Sequence, residues 1–183
     1  MVAGERARDE VISRLKFAVS LLEEKMATDL VPGTGADIVY ALKGARDPLH
    51  VAGVQGKIVC IGDRVHATGD IAFGVSGEVA GIVLTVMRFD PSLRSAANIK
   101  CSPEVLSLME EMFLEICSFD RAKEPPGIKT MDWGVASCCR EGVPEVIYDR
   151  GMAGKEPMVR LLGEEPVELA NKIIMLSARI VHD

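Results

Sequence analysis

Aromatic side chains are scarce: the 183 residues include one tryptophan, two tyrosines and five phenylalanines. A core made from this chain must rest on aliphatic packing, with the nine methionines filling irregular gaps. No apolar run reaches the roughly 18 residues that a membrane-spanning helix needs. The first residues mix Glu5, Arg6, Arg8 and Asp9 and lack the apolar stretch of a signal peptide. Basic charge is in deficit, 21 Lys and Arg against 27 Asp and Glu, for a formal net charge of −6. A nucleic-acid binder needs a basic face, so no nucleic acid is expected to bind through this chain alone, and no membrane. The five cysteines (Cys60, Cys101, Cys117, Cys138, Cys139) form no C-x-x-C pair and leave an odd one over. Cys60 and Cys117 fall in apolar, strand-like runs, where a free cysteine behaves as a small hydrophobe. Cys138 and Cys139 are neighbours on a predicted helix, point in different directions, and cannot jointly hold a zinc ion. The three histidines are scattered at His50, His66 and His182. Neither a disulfide framework nor a structural metal site is expected, and a cytoplasmic location fits. The glycine fingerprint of a dinucleotide-binding turn is also missing.

What is present reads as an ordinary globular domain, 48% apolar and 26% charged. One domain over 1–183 is expected, an amphipathic helix over 1–28 followed by a body over 30–183; that length buries roughly 70% of the unfolded chain's surface. Val11, Leu15, Ala18, Val19, Leu22 and Met26 lie at helical spacing, with charge on the other face. Such a stripe docks on the body or on a partner subunit. Pro32-Gly33-Thr34-Gly35 opens a loop, and 38–42, 57–61 and 64–68 read as strands, the last two joined by a Gly62-Asp63 turn. Residues 79–89 form a mostly buried helix beginning near Ser76. Ser102-Pro103 starts another, with serine as cap and proline at the first position, running to about Leu114. Residues 115–119 read as a strand, 124–127 as a loop, 132–140 as a helix, and 166–181 as a closing helix with Val181 among its inner residues. Strands and helices interleave irregularly, which points to a mixed sheet covered by helices rather than a regular βαβ repeat.

The segment from Val143 to Gly163 concentrates charge between two strands. Val146 to Tyr148 is β-prone and stops at Asp149-Arg150-Gly151; a Gly154-Lys155-Glu156 corner then leads into the apolar run Met158 to Leu162. Loops at strand ends are where a rigid scaffold presents charge to a ligand, and they are equally where a tight hairpin leaves charge solvated. Read with its flanks, Pro-Glu-Val-Ile-Tyr-Asp ahead and Gly-Lys-Glu-Pro-Met-Val-Arg behind, the segment resembles the ThiN-type thiamine-phosphate synthase domain, often fused behind a hydroxymethylpyrimidine phosphate kinase. Further motifs agree in order: Gly35 to Leu42, Gly56 to Val59, Phe73 to Gly77, Met87 to Ile99, Ser118 to Arg121 and Asp132 to Val135. The resemblance runs from about Leu30 to the end. It implies a three-layer α/β/α domain of the class II aldolase-like kind, with a mixed, mostly antiparallel sheet. It also implies a transferase that joins hydroxymethylpyrimidine diphosphate to hydroxyethylthiazole phosphate, releasing pyrophosphate and leaving thiamine phosphate. Its expected partners are these small phosphate esters and a second copy of the chain in a homodimer.

Ligand-binding candidates then follow at element ends: Ser76, Gly77, Arg94, Asn98, Asp120, Arg121, Asp149, Arg150, Gly154, Lys155 and Glu156. A helix start after Ser76 offers N–H groups to a phosphate, and Arg94, Arg121, Arg150 and Lys155 add charge-assisted bonds. Mg²⁺ is implied as a possible cofactor, with Asp120, Asp149 and Glu156 as carboxylates for it. Each has a plainer alternative. Ser76 is also a natural helix cap, Arg94 and Asn98 a solvated helix face, and Asp120-Arg121 a surface ion pair. Catalytic members of the family are expected to carry arginine and histidine where this chain has Lys57 and Glu78. Lysine keeps the charge without the guanidinium fork, and glutamate puts a negative group beside an expected polyphosphate. A transferase and a non-catalytic binder of thiamine phosphate both remain open readings of the sequence.

Overall fold

The computed structural model describes residues 3–126 and 132–182. In chain order the elements are α1 (Ala3–Lys25), β1 (Asp37–Ala41), β2 (Val51–Val54), β3 (Ile58–Ile61), β4 (Arg64–Ala67), β5 (Ile71–Phe73), α2 (Glu78–Phe89), β6 (Ser95–Lys100), α3 (Pro103–Glu111), β7 (Ile116–Ser118), α4 (Trp133–Cys139), β8 (Val146–Asp149), β9 (Met158–Gly163) and α5 (Pro166–His182). Gly127, at the end of the expected 124–127 loop, lies outside the described residues, as does the side chain of Val181.

Seven strands form one sheet in the order β5-β2-β1-β6-β9-β8-β7, antiparallel except for β7 beside β8. The register explains the two packed faces. Ile38, Ala97, Leu161 and Val146 are partnered across four central strands and form one buried row. Strand side chains alternate, so this row faces one side, where α1, α3 and α5 complete the larger core. Val39, Ala96 and Leu162 form the opposite row, beneath α2 and α4. The result is a three-layer α/β/α sandwich with a mixed, mostly antiparallel sheet, as expected.

The stripe on α1 is consumed within the chain: Val11, Leu15, Ala18, Val19, Leu22 and Met26 are buried in the same cluster as α5 and the sheet. An isolated helix of this length is marginal in water, so this burial holds it in place. Ser102 caps α3 by accepting from the Val105 N–H, with Pro103 beside it. The helix ends at Glu111, short of the expected Leu114, because Phe113 takes a left-handed φ of 58° and turns the chain. β3 and β4 form a separate hairpin, joined to the start of β1 by an Ala36–Ile58 bridge.

Two of the plainer alternatives and one expectation are corrected. Arg94 and Asn98 do not lie on a helix face; Asn98 is on central strand β6, whose small side chains let α2 approach the sheet closely. Ser76 does not cap α2. The cap is Gly77, which makes no side-chain bond, and the Ser76 hydroxyl turns instead to Asp37. The cysteines also do not all stay free: Cys117 at β7 and Cys138 on α4 form a disulfide. Strand and helix bring together two cysteines that no local spacing relates. Strands β2 and β5 are too short to give a period-2 signal and do not stand out in the sequence.

Candidate functional site

One pleat beyond the apolar row under α2 and α4, the same face of the sheet turns polar. Asp37 on β1, Asn98 on β6 and Arg160 on β9 are register partners and sit side by side, each buried. The Asp37 N–H donates to Asn98 Oδ1 at 2.6 Å, and Asn98 Nδ2 reaches the Met158 sulfur at 3.4 Å. Ser76 Oγ donates to Asp37 Oδ2 at 2.6 Å. Burial pushes the Asp37 pKa above the usual carboxylate range, although the Ser76 and Ile38 hydrogen bonds and the charge of Lys57 pull the other way.

Arg160 leads to a second carboxylate. Asp149 closes β8 with its side chain fully buried, accepting from Arg160 Nη1 at 2.8 Å, from Arg121 Nε at 2.7 Å and from the Gly151 N–H at 2.8 Å. Burial alone would raise its pKa, but the hydrogen bonds from Arg121 and Arg160, the charge of Arg160 and the Gly151 N–H together hold it below the ordinary value. Arg121 also feels Asp149, Glu78 and Asp132; these outweigh its burial and keep it firmly charged. The Arg160 guanidinium lies over the Phe119 ring, 5.1 Å from its centroid, and Phe119 packs edge-on against Trp133.

The expected corner between β8 and β9 is a tight hairpin. Met152 and Lys155 exchange backbone hydrogen bonds, and Gly154 takes the left-handed φ of 78° that the turn demands. Glu156 then reaches back across the molecule. Its carboxylate accepts from the Gly33 N–H at 3.2 Å, the Thr34 N–H at 3.1 Å and the Thr34 hydroxyl at 3.3 Å. An early loop and a late one are thereby clasped at the mouth of a cavity.

That cavity, about 1160 Å³, is walled by one side of α2 from Glu78 to Arg88, by the loop around Arg46, by Phe119 and Arg121 after β7, by Asp132 and Gly134 at the start of α4, and by the corner and Arg160. Of the expected residues, Glu78, Arg121, Gly154, Lys155 and Glu156 line it. Asp149 stands behind the wall, orienting Arg121 and Arg160. Ser76 and Asn98 belong to the polar row rather than the lining, and exposed Gly77 lies one residue before α2. Lys57 is outside the lining, near enough to Asp37 to act on its charge. Asp120 is exposed and accepts from the Ala122 N–H, while Arg150 is exposed just past β8. Arg94 is used elsewhere: its Nε donates to the Ala41 carbonyl and its guanidinium covers the Tyr40 ring.

The carboxylates do not fit a protein-built Mg²⁺ site. Asp149 is spent on two guanidinium groups, Glu156 on the 33–34 loop, and Asp120 on its own turn. Among the described residues no three His, Cys, Asp or Glu side chains gather as a metal set.

Asp37, Phe119, Asp132 and Arg160 escaped the sequence reading of the site. Arg160 had a signal: it is the one charged residue within the apolar run Met158 to Leu162, a strand buried along its whole length. Asp37 begins β1 in the same manner.

Comparisons with known proteins agree with this architecture. The family model described as Thiamine-phosphate synthase ThiN matches residues 14–175. A bifunctional thiamine biosynthesis protein ThiDN of Methanocaldococcus jannaschii is 39% identical over 170 residues, which cover 91% of this chain and 40% of that protein. The chain thus spans less than half the length of that relative. A thiamine-phosphate synthase ThiN of Methanothermobacter thermautotrophicus is 35% identical over 154 residues, covering 80% of this chain and 81% of the relative. Among solved structures, the C-terminal domain of a phosphomethylpyrimidine kinase superposes with a TM-score of 0.84 at 36% identity, covering 92% of this chain and 99% of that one. An l-fuculose-1-phosphate aldolase from Thermus thermophilus superposes with a TM-score of 0.51 at 11% identity over 94% and 93% of the two chains, a likeness of fold alone. The fold is class II aldolase-like. Among the described residues, no helix is long and apolar enough to cross a membrane.

Proposed function

The chain belongs to the ThiN family of thiamine-phosphate synthases, and we propose that its cavity binds thiamine phosphate or the two phosphate esters from which it is made. The observation that carries this reading is the basic wall of Arg121, Lys155 and Arg160, facing a space large enough for a ring and its phosphates. Joining hydroxymethylpyrimidine diphosphate to hydroxyethylthiazole phosphate breaks a carbon–oxygen bond and leaves its electron pair on departing pyrophosphate. The protein's task is to stabilise that charge as it grows and to hold the thiazole nitrogen in line with the carbon it attacks. Arg121 and Lys155 supply positive charge on one wall, while Phe119 offers an apolar face to a heteroaromatic ring.

A second reading is favoured by one particular residue. Glu78 lines the same cavity, and its charge already acts on Arg121. A carboxylate there offsets part of the attraction intended for pyrophosphate, where the family resemblance implies histidine. Lys57, in place of the expected arginine, lies outside the lining, its charge felt by Asp37. Binding is therefore expected to persist while turnover is slow, down to a non-catalytic thiamine-phosphate-binding domain at the limit. Calorimetric titration with thiamine phosphate, beside incubation with both precursors and Mg²⁺ and detection of thiamine phosphate, separates the outcomes. Binding with slow turnover supports the proposal, turnover matching a relative with arginine and histidine removes the second reading, and failure to bind product or precursors defeats both.

A further inference from the structure

Arg160 carries a donor that nothing among the described residues satisfies. Its side chain is 2% exposed and borders the cavity. Nη1 is engaged by Asp149 and, more distantly, by the Met158 carbonyl. Nε is buried and has no hydrogen-bond partner among the described residues. Native proteins rarely leave such a group unpaired, and a buried guanidinium is an especially costly place to do so.

The charge distribution points the same way. Asp149 is one carboxylate shared between two guanidinium groups. Arg121 also feels the charges of Glu78 and Asp132, while the carboxylate paired with Arg160 is the shared Asp149. The group is also held ready: it rises from a central strand, sits over the Phe119 ring and is tethered at Nη1. This bracing lowers the ordering cost of binding, and because Nε itself is covered, neighbouring side chains must give way for a ligand oxygen to reach it.

We propose that the Nε edge of Arg160 is the donor that takes a phosphoryl oxygen of the ligand, making Arg160 the residue that distinguishes phosphate esters from their unphosphorylated counterparts. A guanidinium edge matches phosphate geometry in a way an ammonium does not. This rests on the cavity being the ligand site, and it names the ligand group that reaches its floor.

The test is calorimetric titration of the full chain and of Arg160→Lys with inorganic pyrophosphate, thiamine phosphate and thiamine. The lysine variant retains a cation for Asp149 and removes the edge. Affinity for pyrophosphate and thiamine phosphate is expected to fall about 10- to 100-fold, the scale of a hydrogen bond to a charged group, with thiamine within about twofold. An equal loss for thiamine, which a purely structural role would give, overturns the proposal, as does no loss for either phosphate compound. Should the full chain bind pyrophosphate but not thiamine phosphate, the thiamine reading falls while the pyrophosphate arm still decides on Arg160. Should it bind neither, the assignment falls too. If the variant does not fold, the Arg160 Nε–H resonance of the unaltered protein gives the answer: it should move on addition of pyrophosphate, and an unmoved resonance at saturation overturns the proposal.

Discussion

Replacing Asp149 with asparagine should unfasten the basic wall. The carboxylate is fully buried and accepts from two guanidinium groups and the Gly151 N–H. Asparagine keeps the shape, and its one oxygen can still accept from Arg121 and Gly151. Its amide nitrogen then faces Arg160 Nη1, donor against donor, leaving a buried cation without a counter-charge. Breaking a buried pair from one side costs about 3–5 kcal/mol. For a chain of this size each kcal/mol moves Tm by about 2–4 °C, so a drop of about 6–20 °C is expected at pH 7. The pH dependence gives a second check. The folded-state pKa of Asp149 is depressed, so its contribution is fully present above the unfolded value of about 3.9 and fades as pH falls through the lower folded value. The gap between Asp149→Asn and the unaltered protein should therefore narrow below about pH 4. Thermal melts and urea titrations at neutral and acidic pH measure both. A neutral-pH difference under about 1 kcal/mol, the range of an exposed pair, or a gap that does not shrink with acid, would refute the reasoning.

Four further outcomes are expected. Lys57→Arg with Glu78→His should raise synthase turnover by about 10²-fold, within the range that positioned acid–base groups contribute, with a much smaller change in thiamine-phosphate affinity; parallel changes in both would remove the distinction drawn between binding and chemistry. Leu15→Ala, in the fully buried stripe of α1, should cost about 2–5 kcal/mol in urea unfolding; a loss under about 1 kcal/mol would make α1 an appendage. A Cβ at Gly134 would collide with the edge carbons of the Phe119 ring, so Gly134→Ala should cost about 1–3 kcal/mol and weaken thiamine-phosphate binding as the ring is displaced. The Cys117–Cys138 disulfide closes a sequence separation of 21, worth about 3 kcal/mol on the loop-entropy scale. A thiol reductant should lower the melting temperature, and Cys138→Ser should abolish that sensitivity.

The helices were legible because their physics is local. α1 carries its stripe at regular spacing, and Ser102-Pro103 and Asp132 announce helix starts by the N–H groups they cap or spare. The Gly154 corner was legible for the same reason, since a left-handed turn between two apolar runs leaves few alternatives. Strand β6 was not. Ser95-Ala96-Ala97-Asn98 offers little β-branching, because close packing under α2 favours small side chains, and smallness does not reveal which element it serves. The site was half visible for a related reason. Arg121 and Lys155 lie at element ends, where charge stands out, whereas Arg160 gains its meaning only when β8 and β9 pair and bring Asp149 beside it. Cys117 and Cys138 likewise become neighbours only through the packing of α4 on the sheet.

The position of β9 sets a timetable for the molecule. It lies between β6 and β8, yet is made after both. On the ribosome, the half of the sheet built from β5, β2, β1 and β6 and the half built from β7 and β8 share no strand pairing until the residues up to Gly163 emerge. Their facing edges stay unpaired in the meantime, a state prone to joining with neighbouring chains. Arg160 arrives on the strand that closes the seam, so the halves are joined and the cavity gains its buried cation in one event. A chain interrupted before Met158 would have neither, and no partly made copy would hold the complete cavity.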